Sequence, residues 1–183
     1  ITTNKFEMTN TSKLTIPSLF NESVKKYANN KSLVFVGEEN YTYQQLGHDV
    51  ELVATLISNL GVTKGDKVAI LSTNMPNWGV AFFAISVIGG IAVPILPDFH
   101  DNEIKTITEH SEAKTIFVSA GLFGSLSDES KQLLSNIILV ENFAVVPKST
   151  STEQIAGLQS SLPAVGNKSV QVEVDEEDLA SII

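Results

Sequence analysis

Short apolar runs separated by polar turns predict a series of strands along the chain. Runs of four or five apolar residues are typical of strands that are covered on both faces of a sheet. Such runs lie at Val68–Leu71, Ile91–Ile95, Thr115–Val118, Ile137–Val140 and Leu179–Ile183, and weaker strand candidates lie at Ser32–Val36 and from Tyr41.

Helical patterns lie before and between these strands. Helices are predicted from Ile16 up to Asn29, behind Thr42, over Pro76–Ile88, over Asn102–His110, from Ser127-Asp128 and, weakly, over Ile155–Leu162. Because strand and helix alternate through the middle of the chain, the fold class is α/β, a layered and largely parallel sheet flanked by helices. We expect residues 1–183 to form a single α/β unit in which residues 1–14 are extended or flexible.

Two of these helices carry clear signals at their ends and on one face. Thr42 and Gln45 have the spacing of a capping box, and Gly61 is a natural C-terminal cap. The apolar face between them consists of Leu46, Val50, Val53, Ile57 and Leu60. The first helix, which Pro17 opens, has a predicted apolar face of Leu19, Phe20, Val24, Tyr27 and Ala28.

The stretch from Val68 to Pro97 contains no charged residue and is strongly apolar from Val80 onwards. A charge-free apolar run of about 18 residues is a candidate membrane span. Here Pro76 opens a helical pattern and Gly89-Gly90 stops it, which leaves a helix of roughly 10–14 residues, the length of a buried core helix. We therefore expect no transmembrane segment.

Composition excludes several kinds of function. The chain has a formal net charge of −9 and no cysteine, and all of its basic residues are lysines. An acidic chain without arginine is a poor partner for nucleic acid, because that binding depends on neutralising phosphates. For the same reason it is a poor site, by itself, for ATP or CoA. The absence of cysteine excludes disulfides, thiolate metal sites and cysteine nucleophiles.

The polar residues that could carry chemistry have simpler structural explanations. His48, His100 and His110 lack the spacing of metal ligands, so we predict no metal site. Asp98 is explained by turn chemistry, and Asp101 is expected to cap the helix that follows it.

Two glycines and four aromatic residues also have simpler structural explanations than a binding site. Gly121 and Gly124 lack the spacing and the lysine of a phosphate-binding loop. Helical spacing favours core packing over an acyl tunnel for the aromatic set Trp78, Phe82, Phe83 and Phe99.

Several short segments occur in an order that is specific, although no one of them is specific alone. They are Tyr41–Leu46 (YTYQQL), Leu60–Ile70 (LGVTKGDKVAI), Asn74–Trp78 (NMPNW), Ile88–Pro94 (IGGIAVP), Glu103-Ile104 with His110–Lys114 (HSEAK), and Asp178–Ile183 (DLASII). This ordered set resembles the first part of the adenylate-forming enzymes, which include acyl-CoA synthetases, luciferases and the adenylation domains of peptide synthetases. The resemblance covers about Thr15 to Ser119 and the segment Asp178–Ile183.

The resemblance implies the N-terminal subdomain of the acetyl-CoA synthetase-like fold and a reaction in two steps. In that family a carboxylate attacks the α-phosphate of ATP to give an acyl-adenylate and pyrophosphate, and a thiol, usually that of CoA, then displaces AMP. The family's phosphate loop follows the strand that matches Asp178–Ile183, and its catalytic residues lie further along. The full-length enzyme is thus expected to use ATP, Mg²⁺ and CoA. We expect none of them bound to this fragment, no catalytic, cofactor-binding or metal residue in it, and no activity of the fragment alone.

Two sequence segments indicate the subfamily, and with it the substrate. The sequences of Ser23–Tyr27 and His110–Lys114 are most similar to those of long-chain fatty acid–CoA ligases, so a long-chain fatty acid is the expected substrate. Lys67, where arginine is common, and Asp98, in place of a frequent asparagine, blur the subfamily. Another carboxylate-adenylating enzyme, for an aryl or amino acid, and a non-catalytic α/β binding module stay open as alternatives.

Location and assembly follow as further expectations. We expect a cytoplasmic protein, with peripheral membrane association left open. The Leu179–Ile183 strand is expected to expose an apolar sheet edge through which the fragment self-associates.

Overall fold

The computed structural model describes residues 13–33, 41–164 and 172–182 of the chain. The helices are α1 (Ile16–Lys26), α2 (Tyr43–Asn59), α3 (Pro76–Val87), α4 (Asp101–Ser111) and α5 (Asp128–Leu133). The strands are β1 (Lys67–Leu71), β2 (Ile91–Ile95), β3 (Thr115–Val118) and β4 (Asn136–Leu139). Short 3₁₀ helices lie at Ala120–Ser125 and Ile155–Gly157.

The strands form one parallel sheet in the order β2-β1-β3-β4. β1 pairs with β2 on one side, from Lys67 opposite Ile91 to Leu71 opposite Ile95, and with β3 on the other. Parallel strands that are buried on both faces need apolar side chains in both directions, which is why the apolar runs of the sequence become strands here. The predicted α/β class with a largely parallel sheet is confirmed.

Helices cover the sheet from both sides and divide the core into two layers. Val68 and Ile70 of β1 point into the layer under α1, α2 and α3, which we call the first face. Ala69 and Leu71 point into the layer under α4 and α5, the second face. All four side chains are fully buried. Because successive side chains of β1 point to opposite faces of the sheet, this one strand contributes to both layers of the core.

The end signals of α2 are confirmed in detail. The Thr42 hydroxyl accepts from the Gln45 N–H at 3.3 Å, and the Gln45 side chain accepts from the Thr42 N–H at 2.8 Å, which completes the capping box. At the other end Gly61 adopts a left-handed φ of 92°, as expected for a residue just past a helix. The apolar face predicted between them is buried, except that Leu60 is only partly covered.

Two predictions about helices are wrong. Leu19 and Tyr27 belong to the predicted apolar face of α1, yet both are exposed and only Phe20 is buried. Asp101 does not cap α4, because it is the first helical residue and His100 is the cap. Its carboxylate instead accepts from the Ser127 N–H and the Ser130 hydroxyl at the start of α5.

The weaker elements also differ from expectation. Ile155–Leu162 contains only the single 3₁₀ turn Ile155–Gly157. Most of the Ser32–Val36 strand lies outside the described residues; just before it, Lys31 forms an isolated antiparallel bridge with Thr42, and the Ser32 N–H donates to Tyr41 O at 2.8 Å. The first 12 residues of the expected extended N-terminus also lie outside the described residues.

The strand predicted at Leu179–Ile183 is reduced to one contact. Ser181 forms a parallel bridge with Ala92 on the free edge of β2, and Ile183 lies outside the described residues. The Ala92 N–H donates to Ala180 O at 3.0 Å and the Ile182 N–H donates to Ala92 O at 2.9 Å. We call Ala180–Ile182 the edge segment.

In the part of the chain that the structure describes, every helix is too short or too polar to span a bilayer. The apolar stretch from Val80 is divided between α3 and β2, as its glycine pair predicted.

Candidate functional site

The carboxyl ends of β1 and β3 are the first place to look for a ligand site. The chain leaves β1 towards α3 on the first face, and it leaves β3 towards the second face, where Phe123 is buried. Open α/β sheets bind ligands in the crevice between two such diverging loops. Ser119 follows β3 at this point, and its N–H donates to Leu71 O at 3.0 Å.

Polar groups of the chain itself fill this crevice. The Asn77 side-chain amide donates to Val140 O at 2.8 Å and to Glu141 O at 3.0 Å. The Glu141 carboxylate accepts from the Ala120 N–H at 2.8 Å. A carboxylate here repels phosphate, because like charges at close range are unfavourable. The Glu141 carboxylate therefore disfavours an anion next to the Ala120 N–H.

The Ser119 hydroxyl is the group in this crevice that can still form a hydrogen bond. The Ser119 hydroxyl is buried, with the residue 2% exposed, and it has no hydrogen-bond partner among the residues that the structure describes. Buried hydroxyls are normally paired. Sequence reasoning missed both Ser119 and Glu141, and the available signal was a polar residue directly after each buried strand.

The free edge of β2 offers a different environment. The edge segment runs parallel to β2, so its direction leads towards the carboxyl ends of the strands. The Ser181 hydroxyl donates to Ala92 O at 2.9 Å and adds a third bond to this contact. Because a parallel strand alternates its bonds between its two sides, Ser181 N–H and C=O face away from β2.

An apolar groove of about 480 Å³ lies between this edge and α4. Its apolar lining includes Val93, Pro94, Leu96, Phe99, Ile107 and Ile182, and its polar rim includes Lys67, His110 and Glu112. Lys67 and Glu112 pair across the rim at 3.8 Å. The volume falls in the range of small-molecule sites, which are mostly apolar with a few polar groups.

The segment before this edge is tied down by charge. Lys64, in the turn between α2 and β1, pairs with Asp178 at 2.6 Å and donates to Glu173 O at 2.9 Å. Lys13 pairs with Glu173 at 2.8 Å and also with Asp175. We call these two lysines with Glu173, Asp175 and Asp178 the ionic clamp.

The electrostatics of the clamp agree with its geometry. The Asp175 N–H, which donates to the Asp178 carboxylate at 2.7 Å, lowers the pKa of Asp178, and the Lys64 ammonium adds to this. The hydrogen bonds that the Lys13 ammonium donates to Asp175 and then to Glu173 raise the pKa of Lys13. Both shifts favour the charged forms that the ion pairs require.

The residues considered from the sequence fall in separate places. Trp78, Phe82 and Phe83 pack with the first-face core, where Trp78 stacks on Phe82 at 5.5 Å and Phe83 stacks on Phe20 at 4.5 Å. The core role predicted for these three is confirmed. Phe99 is apart from them, because it lines the apolar groove on the second face.

The histidines and the carboxylates do not converge on a site. The His100 N–H donates to the Glu103 carboxylate at 2.9 Å at the start of α4, and His110 stands at the rim of the groove. The pKa of Asp101 is lowered, first by the Ser130 hydroxyl and then by Ser127. Within residues 13–33, 41–164 and 172–182, no three histidine or acidic side chains are close enough to share a metal ion.

Solved structures of low sequence identity share this fold. The anthranilate CoA ligase AuaEII, in complex with anthranoyl-AMP, is 21% identical, with a TM-score of 0.70 over 92% of this chain and 31% of that one. The N-terminal domain of FACL13 from Mycobacterium tuberculosis is 19% identical, with a TM-score of 0.70 over 92% of this chain and 41% of that one.

Relatives of known activity match much of the chain. The 4-hydroxybutyrate–CoA ligase 2 of Metallosphaera sedula is 31% identical over 126 residues, which is 69% of this chain and 23% of the relative. The crotonobetaine/carnitine–CoA ligase of Escherichia coli is 29% identical over 127 residues, 68% of this chain and 24% of the relative. The chain thus spans about a quarter of the length of these relatives.

A sequence model of one family matches almost the whole chain, over residues 20–183, and that family is described as AMP-binding enzyme. The parallel sheet and the flanking helices agree with the solved relatives. The chain is therefore a member of the AMP-binding enzyme family, matching the N-terminal part of its CoA ligases.

Proposed function

We propose that this chain is part of an ATP-dependent acid–thiol ligase that activates a carboxylic acid as its acyl-adenylate and transfers the acyl group to CoA. The observation that carries the proposal is the family match over residues 20–183, supported by relatives that are CoA ligases. ATP, Mg²⁺ and CoA are the cofactors proposed for the full-length protein, with a cytoplasmic location.

The chain by itself is proposed to be inactive. Its crevice at the end of β1 and β3 carries the Glu141 carboxylate. Phosphate chemistry needs cations or N–H donors on the reacting oxygens. We assign no catalytic, cofactor-binding or metal role to any residue of the chain.

A long-chain fatty acid is the substrate that we propose. Support comes from the wording of Ser23–Tyr27 and His110–Lys114 and from the apolar groove beside α4. The curated relatives are ligases of 4-hydroxybutyrate and of crotonobetaine or carnitine, and one solved relative is an anthranilate ligase. An aryl acid is the second candidate, because the ordered motifs of the sequence also fit other carboxylate-adenylating enzymes.

ATP–pyrophosphate exchange by the full-length protein tests the proposal. Palmitate, 4-hydroxybutyrate, crotonobetaine, anthranilate and an amino acid mixture are offered separately. Exchange that depends on palmitate supports the long-chain ligase, and exchange with another acid alone replaces the substrate and keeps the reaction. If well-folded protein exchanges with none of them, the ligase proposal is wrong and a binding module takes its place.

We also propose that the 183-residue chain self-associates along the outer side of the edge segment, which faces away from β2. Leu96, Leu179 and Ile182 are exposed around the edge segment, and an apolar edge of this kind is prone to pair with another chain. Light scattering across a hundredfold range of concentration tests this, and a constant monomer mass would refute it.

A further inference from the structure

The ionic clamp joins parts of the chain that are far apart in sequence. Lys64 is the central member, because its ammonium contacts both the Asp178 carboxylate and Glu173 O. Lys64 and Asp178 are also partly shielded, with side chains 39% and 31% exposed. Exposed ion pairs contribute little, but partly shielded pairs in a network with charge-assisted bonds contribute more.

The position of Lys64 is itself fixed by the fold. The next residue, Gly65, donates its N–H to Gly89 O at 2.9 Å, which ties the turn before β1 to the turn before β2. The aliphatic stem of Lys64 lies against Gly89, so close that a Cβ there would stand 2.8 Å from Lys64 Cγ. The ammonium is therefore presented from a rigid base.

Asp178 stands two residues before Ala180, the start of the edge segment, and its own turn is closed by hydrogen bonds. Its carboxylate accepts from the Asp175 N–H at 2.7 Å, and its N–H donates to Asp175 O at 3.1 Å. On the Lys13 side, Leu14 N–H donates to the Glu176 carboxylate at 2.6 Å. Contacts with Lys13 and Lys64 therefore fix residues 173–178 before the chain reaches β2.

The contact of the edge segment with β2 is short. It rests on the bonds that Ala180, Ser181 and Ile182 make with Ala92. A bridge of this length does not set its own register strongly, because a slip by two residues would keep the same side chains on each face. A fixed point just before the bridge removes that freedom.

We propose that Lys64 is a positioning residue, which holds Asp178 and thereby sets the register of the edge segment on β2. The proposal rests on the proposed function in one respect. In the full-length ligase, that register sets where the chain beyond Ile183 reaches the carboxyl ends of the strands. Lys64 touches no reacting atom in this arrangement and acts through Asp178.

Hydrogen exchange on the 183-residue chain tests the register directly. In Lys64→Met we expect exchange of the peptide 172–182 to rise about fivefold, which is the effect of a strong surface pair, while β1 is unchanged. Lys105→Met is the matched control, because it removes a 2.7 Å ion pair with Glu129 that lies outside the clamp. Unchanged exchange in Lys64→Met, or an equal rise in Lys105→Met, would overturn the proposal.

A double-mutant cycle separates the pair from other effects of the substitution. Asp178→Asn keeps an oxygen for the Asp175 N–H but removes the charge that Lys64 holds. If the two residues act together, Lys64→Met adds little in the Asp178→Asn background. Lys64→Arg keeps the charge and is expected to restore most of the protection.

Steady-state kinetics of the full-length protein test the consequence. We expect Lys64→Met to lower kcat/KM for ATP about fivefold with an unchanged KM for the acid, and Lys64→Arg to recover most of it. A loss of folded protein alone would lower kcat and leave both KM values unchanged, and that result would overturn the positioning role. If the unsubstituted full-length protein shows no ATP–pyrophosphate exchange with any acid, the proposed function fails. The hydrogen-exchange result on the 183-residue chain then decides the role of Lys64 alone.

Discussion

β1 and the edge segment both come from short apolar runs of the sequence but reach very different structures. Val68–Leu71 and Leu179–Ile183 are both apolar runs that predict buried strands. β1 is paired on both sides and fully buried beyond its first residue, whereas the edge segment has one bridge to Ala92. The comparison teaches that an apolar run specifies burial in a strand only where the fold supplies neighbours on both sides and both faces.

The two regions are also held by different forces. Burial from water holds β1, and this term scales with apolar area and is not weakened by the screening of charges. The edge segment has Ile182 37% exposed, and the ionic clamp fixes it from outside. Ion pairs at a surface are weaker and are screened by salt. Substitutions and solution conditions should therefore separate the two regions.

The largest difference is expected from truncating an isoleucine in each. Ile70→Ala removes a fully buried side chain from the first-face core and should lower the free energy of unfolding by about 2–5 kcal/mol. Ile182→Ala should lower it by less than about 1 kcal/mol, because little area is lost from the interior. Urea unfolding followed by the fluorescence of Trp78 measures both. Equal losses would show that the edge segment is part of the cooperative core.

A smaller effect should come from the glycine beneath Lys64. Gly89 has a φ of 70°, and an added Cβ would meet Lys64 Cγ at 2.8 Å. Gly89→Ala should therefore cost about 1–2 kcal/mol for the left-handed backbone. It should also displace Lys64 and raise exchange in the peptide 172–182.

Gly61→Ala is the control that isolates the contact. Gly61 also has a left-handed φ, of 92°, but an added Cβ would meet no atom within 4 Å. We expect a similar loss of stability with no selective rise in exchange of the peptide 172–182. If both variants raise that exchange equally, backbone strain and not the contact with Lys64 explains the effect.

The same comparison shows what the sequence could predict. The strands β1 to β4 followed from continuous apolar runs, and α2 followed from Thr42, Gln45 and Gly61, since these signals are local. The apolar face of α1 failed at Leu19, because periodicity indicates which side of a helix is apolar and not what lies against it. The prediction of a full strand at Leu179–Ile183 failed for the same reason, because an apolar run does not show which neighbours will pair with it.

The sequence could not predict the polar contacts of Lys64 and Asp101, and the reason is a different one. Lys64 and Asp178 are far apart along the chain, and neither lies in a spacing that indicates an ion pair. Asp101 was expected to cap its own helix, but the fold brings the start of α5 to it, and Ser127 and Ser130 take its carboxylate. Such pairings depend on which turns meet, and the order of strands decides that.

The smallest expected effect is a response to acid that only the edge segment shows. The Asp175 N–H and the Lys64 ammonium lower the pKa of Asp178 in the folded protein. A lowered pKa stabilises the docked segment above the ordinary pKa of an aspartate, about 3.9, and that contribution is lost as the pH falls through the lowered value. Protection of the peptide 172–182, corrected for intrinsic exchange, should thus decline as the pH falls below about 4. The peptide 68–71 has no carboxylate side chain and should keep its protection. Asp178→Asn should flatten the profile; a decline that persists in this variant would contradict the assignment of the response to Asp178.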